Sequence, residues 1–211
     1  REFVKKADLR LWLLVLVKLM RCCVTEGQWT VTFFAFQQMI PGWIDQDTAA
    51  YLSLGACCQA VAQGCVLPLL LSLGVSDASL ALLAQGMQVF MYSAFLFLGL
   101  FPVKTFLFTA VIVGNCLDFF DPVFIKLVTT GYENEEVGLL LGVFSSVSAA
   151  TAMLTPIVFS TVYIWGPLYP FALQLMCTVV AFAGIAVVGR IVPLSHSKLQ
   201  HDTNRDEAAE A

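Results

Sequence analysis

Six times along this chain an apolar stretch reaches the roughly 20 residues that a helix needs to cross the hydrocarbon core of a bilayer. The stretches are Leu9 to Phe36, Thr48 to Leu71, Ser79 to Phe101, Val103 to Val128, Val137 to Trp165 and Leu168 to Ile191. Lipid offers no partner to backbone N–H and C=O groups, so a run of this kind must be helical or part of a closed barrel. No period-two alternation recurs at barrel-strand length, which leaves helices. Of the 211 residues 59% are hydrophobic and only 12% charged, against about 25% charged in a soluble domain. The net charge of −4 gives no basic footprint for nucleic acid. The sequence therefore predicts an all-α, integral multi-pass membrane protein with six transmembrane helices.

Breakers separate the stretches: Pro41, Gly42, Asp45 and Asp47 after the first, Gly74, Ser76 and Asp77 after the second, and Pro102 after the third. An acidic loop from Gly131 to Glu136 follows the fourth, and Gly166–Pro167 turns the chain before the sixth. Three regions result: a basic juxtamembrane segment, residues 1–10, continuing a longer upstream loop; a six-helix bundle, 11–192; and a polar, disordered tail, 193–211. Six spans put both termini on one side. That side carries Arg1, Lys5, Lys6, Arg10, Lys126, Arg190, Lys198 and Arg205, whereas the other carries only Lys104. The positive-inside rule then places both termini in the cytosol. Whether the membrane is plasma or endolysosomal is not distinguishable from these residues.

The residues that lipid should reject carry the most information. A Lys, Arg or Asp at mid-bilayer costs about 2.5–3.5 kcal/mol on insertion scales, and such charges usually border a water-filled cavity or a partner. Interior charges occur in two spans: Lys18, Arg21 and Glu26 in the first, Asp118 and Asp121 in the fourth. Lys18 and Arg21 share a helix face, as do Asn115, Asp118 and Asp121 at intervals of three. Pro122 predicts a kink in the fourth helix, freeing carbonyls that suit a polar cavity. Other readings of the same residues stay open: Lys18 snorkelling to the interface, Asp121 lying at it, and Arg21 with Asp118 as a purely structural pair. Gln28, Gln37, Gln59 and Gln63 read as inter-helix glue. In the fifth span Gly138, Gly142 and Ser146, four apart, allow close helix approach, and Pro156 interrupts the helix and offers a gating bend. The Phe-rich third and sixth spans read as lipid-facing.

No metal site or cofactor motif is present. The seven cysteines lack ligand spacing, and His196 and His201, the only histidines, fall in the tail. With no GxSxG, no HExxH and no histidine inside a span, an enzyme is not expected.

Six spans, cytosolic termini, and charge confined to the first and fourth form a layout that resembles the C-terminal half of a major facilitator superfamily transporter. Glu26-Gly27-Gln28-Trp29, then Phe33-Phe34 and Gln37, is similar to the seventh helix of the tetracycline-resistance-like, hippocampus-abundant-transcript-like group. Gln63 with the Leu67 to Gly74 exit is similar to the eighth, Pro122 after aromatics to the tenth, and Gly138 to Gly142 to the eleventh. The likeness extends over Ala7 to Val192, although the Ser72 to Ser79 loop keeps only Asp77 of the family's gating motif. The resemblance implies a half bundle whose first and fourth helices line a central cavity while its third and sixth face lipid. It implies an N-terminal six-helix half as partner, in the same longer chain or as a second subunit. The expected activity is movement of a small organic solute by alternating access, coupled to protons. Glu26 or Asp118 would carry the proton, and Arg21 would hold the opposite charge. The competing expectation is a truncated or diverged, non-transporting partner of another membrane protein.

Overall fold

The structure is a computed structural model describing residues 9–130, 132 and 134–209, with the backbone alone for 30, 134, 135 and 191–209. Every regular element among these residues is helical. Helix α1 is Leu9–Met39 and α2 is Asp45–Val61; one π-turn, Ala62–Val66, runs on into α3, Leu67–Ser72. Then come α4 (Asp77–Phe97), α5 (Lys104–Asn115), α6 (Phe120–Thr129), α7 (Asn134–Tyr163) and α8 (Tyr169–Ala209). Local chemistry sets several ends. Gly74 takes φ +76° at the C-terminal end of α3, a conformation that favours glycine. The Ser76 hydroxyl caps α4 by accepting from the Ser79 N–H at 3.3 Å.

Four helical stretches among the described residues are long and apolar enough to span a bilayer: Asp45–Ser72, Asp77–Phe97, Glu136–Tyr163 and Tyr169–Arg190. They are consistent with a multi-pass membrane protein. The other two sequence stretches are the two that carry interior charge. Helix α1 has 31 residues, ample length, but includes Arg10, Lys18, Arg21 and Glu26. The fourth stretch is not one helix: α5 ends at Asn115 and α6 starts at Phe120. The break therefore precedes Pro122 instead of lying at it. Proline has no N–H to give the carbonyl four residues back, and its ring crowds that carbonyl. The residue four back is Asp118, and the helix opens around it.

Pro156 has no such effect, because α7 runs through it to Tyr163 without a break. The third and sixth spans are also not peripheral. Half of the α4 span and 44% of the α8 span are buried within the bundle, against 6% for α2–α3 and 17% for α7. Helix α8 packs on α1, α4 and α7, and α4 also packs on α5 and α6. Their phenylalanines divide accordingly: Phe95 and Phe171 are fully buried, whereas Phe90 and Phe97 are exposed. Residues 1–8 of the basic segment lie outside the described residues. Its Arg10, inside α1, donates to the Leu127 carbonyl at 2.7 Å and the Thr130 carbonyl at 3.2 Å, satisfying the C-terminal end of α6. The α8 backbone continues to Ala209 through the segment whose composition predicts disorder. Adding a turn to an existing helix costs far less than nucleating one, and Lys, Gln, Glu and Ala there are good helix formers.

Two apolar clusters stack end to end along the bundle. One joins Leu11, Leu14 and Val17 of α1 to Leu80 and Ala84 of α4, Phe120 and Phe124 of α6, and Ile185 of α8. The other joins Val24, Ala35 and Phe36 to Met91, Tyr92 and Phe95, Leu107 and Phe171. Between them, at Arg21 on α1, Gln85 and Gln88 on α4 and Asp118 at the break, all four side chains buried, lies a polar layer. Close approach of α1 to α7 depends on Gly27, where an added Cβ would overlap the Phe159 ring. Gly27→Ala is expected to destabilise the bundle by about 1–3 kcal/mol through overpacking. Gly138→Ala, with nothing within 4 Å of the added carbon, should instead leave stability unchanged or raise it by up to about 1 kcal/mol through helix propensity, as thermal unfolding of the two variants in nanodiscs would show.

Candidate functional site

The break between α5 and α6 turns the Asp118 carboxylate towards α1, where Arg21 Nη2 donates to Oδ1 at 2.9 Å. Both side chains are 9% exposed. Taking two charges out of water is costly and is offset only when each finds further partners. Asp118 has them: Gln59 Nε2 donates to Oδ2 at 3.4 Å, and Gln63 Nε2 donates to the Asp118 carbonyl at 3.3 Å. That carbonyl is the one Pro122 leaves without its helical donor, so the proline and the glutamine are two halves of one arrangement. Arg21 also lies over the Phe120 ring, 5.5 Å from its centroid. Its contact with Asp118 is monodentate, and its Nε is buried with no hydrogen-bond partner.

Beside this pair is a cavity of about 210 Å³, lined from α1 by Arg21, Thr25, Gln28 and Trp29, and from α2 by Tyr51, Gly55 and Gln59. Gln88 and Tyr92 of α4 and Asn115, Asp118 and Asp121 from around the break close it. A hydrogen-bond chain crosses it: the Tyr92 hydroxyl donates to Gln28 Oε1 at 3.1 Å, and Gln28 Nε2 donates to Tyr51 Oη at 2.8 Å. Gln88 Nε2 donates to the Gly114 carbonyl at 3.4 Å, one of the acceptors that the end of α5 leaves open.

Arg21, Asn115, Asp118 and Asp121 all line this cavity, although α5 ends at Asn115 and α6 starts at Phe120, so a shared helix face is not what brings the last three together. Lys18 reaches Asp121 at 3.7 Å from just outside the cavity, with Asp121 about half exposed. Glu26 does not join them. It lies five residues from Arg21, about 140° further round α1, and does not line the cavity. Gly138 and Gly142 border an apolar depression on α7, with nothing within 4 Å of a Cβ added to either, and the Pro156 region forms no part of the polar site. Of the glutamines read as glue, Gln28 and Gln59 both join helices and line the cavity, Gln63 joins helices only, and Gln37 is exposed and reaches Asp45 at 3.5 Å. Sequence reasoning passed over Tyr51, Tyr92 and Gln88. The signal for Tyr51 was present: with Gly55 and Gln59 it repeats every four residues on one face of α2.

Two more ion pairs hold the broken helix at its ends. Lys104 Nζ, at the start of α5, is 2.6 Å from Asp47 Oδ2, and Lys126 Nζ in α6 is 2.8 Å from Asp77 Oδ1. Arg10, Asp77 and Lys126 therefore share one end of the bundle, and Asp47 and Lys104 the other.

No family model, curated protein or solved structure matches this chain.

Proposed function

We propose that the chain is one six-helix half of a secondary transporter that moves a small organic solute by alternating access, driven by protons. The observation that carries this reading is the buried Arg21–Asp118 pair, which joins the two charge-bearing helices beside a polar cavity at mid-height of the bundle. Ionised side chains persist at membrane depth where they meet a partner and an aqueous path, and helices broken next to a binding site are a recurring device in carriers. In this reading α1 and the α5–α6 pair complete six spans. The end holding Arg10, Asp77 and Lys126 faces the cytosol, in keeping with the positive-inside rule.

The uneven burial supports a second half as partner. Helices α2 and α7 are the barest, and α7 carries Gly138, Gly142 and Ser146 in a row with open space beside both glycines. Small residues on a bare helix let another backbone come close. The partner half would close the cavity over Gln59 and Tyr51.

The test is solute uptake into proteoliposomes by the protein with its partner half, under an inward proton gradient. The expected result is gradient-driven accumulation that Glu26→Gln or Asp118→Asn abolishes while solute exchange persists. Accumulation unchanged in both variants removes the proton assignment. A wild type that moves no solute leaves the reading of a non-transporting partner protein.

A further inference from the structure

The cavity's own charges are already matched, and this narrows the class of solute; the inference rests on the transport reading above. Arg21 is closed by Asp118 at 2.9 Å and Asp121 by Lys18 at 3.7 Å. An ionic solute would enter a low-dielectric site with no free counter-charge on its lining among the described residues, or would have to break a buried pair, and either course is unfavourable.

The hydrogen-bonding capacity left over is neutral and of both kinds. The Tyr92–Gln28–Tyr51 chain runs in one direction and ends with Tyr51 Oη as acceptor. The Tyr51 O–H is left to donate, and it has no acceptor among the described residues. Asn115 donates its Nδ2 to the Val111 carbonyl at 2.9 Å, leaving Oδ1 to accept. Gln59 donates its Nε2 to Asp118, leaving Oε1 likewise. A hydroxyl group is donor and acceptor together, so a solute bearing several of them satisfies all three positions. At the rim Trp29 is 58% exposed, a flat apolar surface for the C–H face of a ring. A volume of about 210 Å³ corresponds to about seven waters of liquid. It falls below the roughly 300–1,000 Å³ of drug-sized sites.

We propose that this cavity binds an uncharged polyhydric solute, a monosaccharide or cyclic polyol, through Tyr51, Gln59, Asn115 and Trp29, with Arg21 and Asp118 paired while the solute is bound. The test is counterflow in proteoliposomes containing the protein with its partner half, using labelled D-glucose and myo-inositol beside benzoate and choline as anion and cation of similar size. Saturable counterflow of glucose or inositol is expected, with benzoate and choline at the level of protein-free vesicles. Trp29→Ala and Tyr51→Phe should each raise KM about three- to tenfold, the loss of one ring contact or one neutral hydrogen bond. Trp29 is at the surface and its removal leaves the fold intact, so its KM separates binding from folding. Transport of benzoate or choline without the polyols overturns this inference and leaves the transport reading standing. So does polyol transport with an unchanged KM in both variants, because the solute then sits elsewhere. Movement of none of the four brings down both.

Discussion

Asp118→Asn is expected to cost about 3–5 kcal/mol of folding stability, the penalty for leaving a buried charge without its partner. The substitution keeps the shape and the hydrogen bond from Gln59, but Arg21 then holds a full charge at 9% exposure. Its remaining carboxylate neighbour, Asp121, acts on it only from a distance and also faces Lys18 at 3.7 Å. The guanidinium cannot discard its proton, so relief by neutralisation is closed to it. Arg21→Met should cost less, because the orphaned Asp118 can take up a proton. The double variant Arg21→Met/Asp118→Leu should recover most of the loss, since two well-packed apolar residues replace a buried pair at little net cost. Reversible unfolding in nanodiscs of the wild type, Arg21→Met, Asp118→Leu and the double variant gives the coupling energy directly. Losses that simply add would mean that the pair does not exist in the membrane. Recovery of stability in the double variant without recovery of transport would mark the pair as part of the working cavity.

Phe36→Ala is expected to be the most damaging apolar truncation. Phe36 is fully buried, with ring centroids of Trp43, Tyr51, Phe95 and Phe171 between 5.3 and 5.7 Å away and Phe33 at 6.5 Å. It links α1 to the start of α2, to α4 and to α8. Large-to-small changes at such sites cost about 3–5 kcal/mol. A value at the lower end is expected here, because association inside lipid rests on packing without the gain from leaving water. Phe34→Ala, two residues away and 62% exposed, should change stability by less than about 0.5 kcal/mol. Equal effects at the two positions would mean that α1 is rotated relative to its neighbours.

The contrast between Phe34 and Phe36 shows where sequence reading stops. Both lie in one aromatic run, and in a membrane helix an apolar side chain is acceptable facing lipid or core, so hydropathy does not separate them. The same limit explains why the Phe-rich α4 and α8, expected at the periphery, are the best-buried spans. Charge behaves differently, because lipid rejects it wherever it faces. Arg21, Asp118 and Asp121 were therefore legible as residues needing a polar surrounding, and Glu26 stood out as well, although it lies on another side of α1, whereas neutral Asn115 was marked only by its spacing from the two aspartates. Tyr51, Tyr92 and Gln88 were not legible, since a hydroxyl or amide in an apolar span is cheap enough to occur as packing glue.

By itself the sequence determined that the chain is helical, that it carries stretches long and apolar enough to cross a membrane, and which of its apolar stretches carry charge. These follow from the length of apolar runs and the price of an ion in hydrocarbon, both local quantities. Only the tertiary structure decided that the fourth stretch opens at Asp118, that Gln63 takes the carbonyl Pro122 leaves unbonded, and that Arg21 and Asp118 meet at a cavity whose lining does not include Glu26. Those depend on how helices rotate and cross, which small differences in packing fix and which no single stretch of residues encodes.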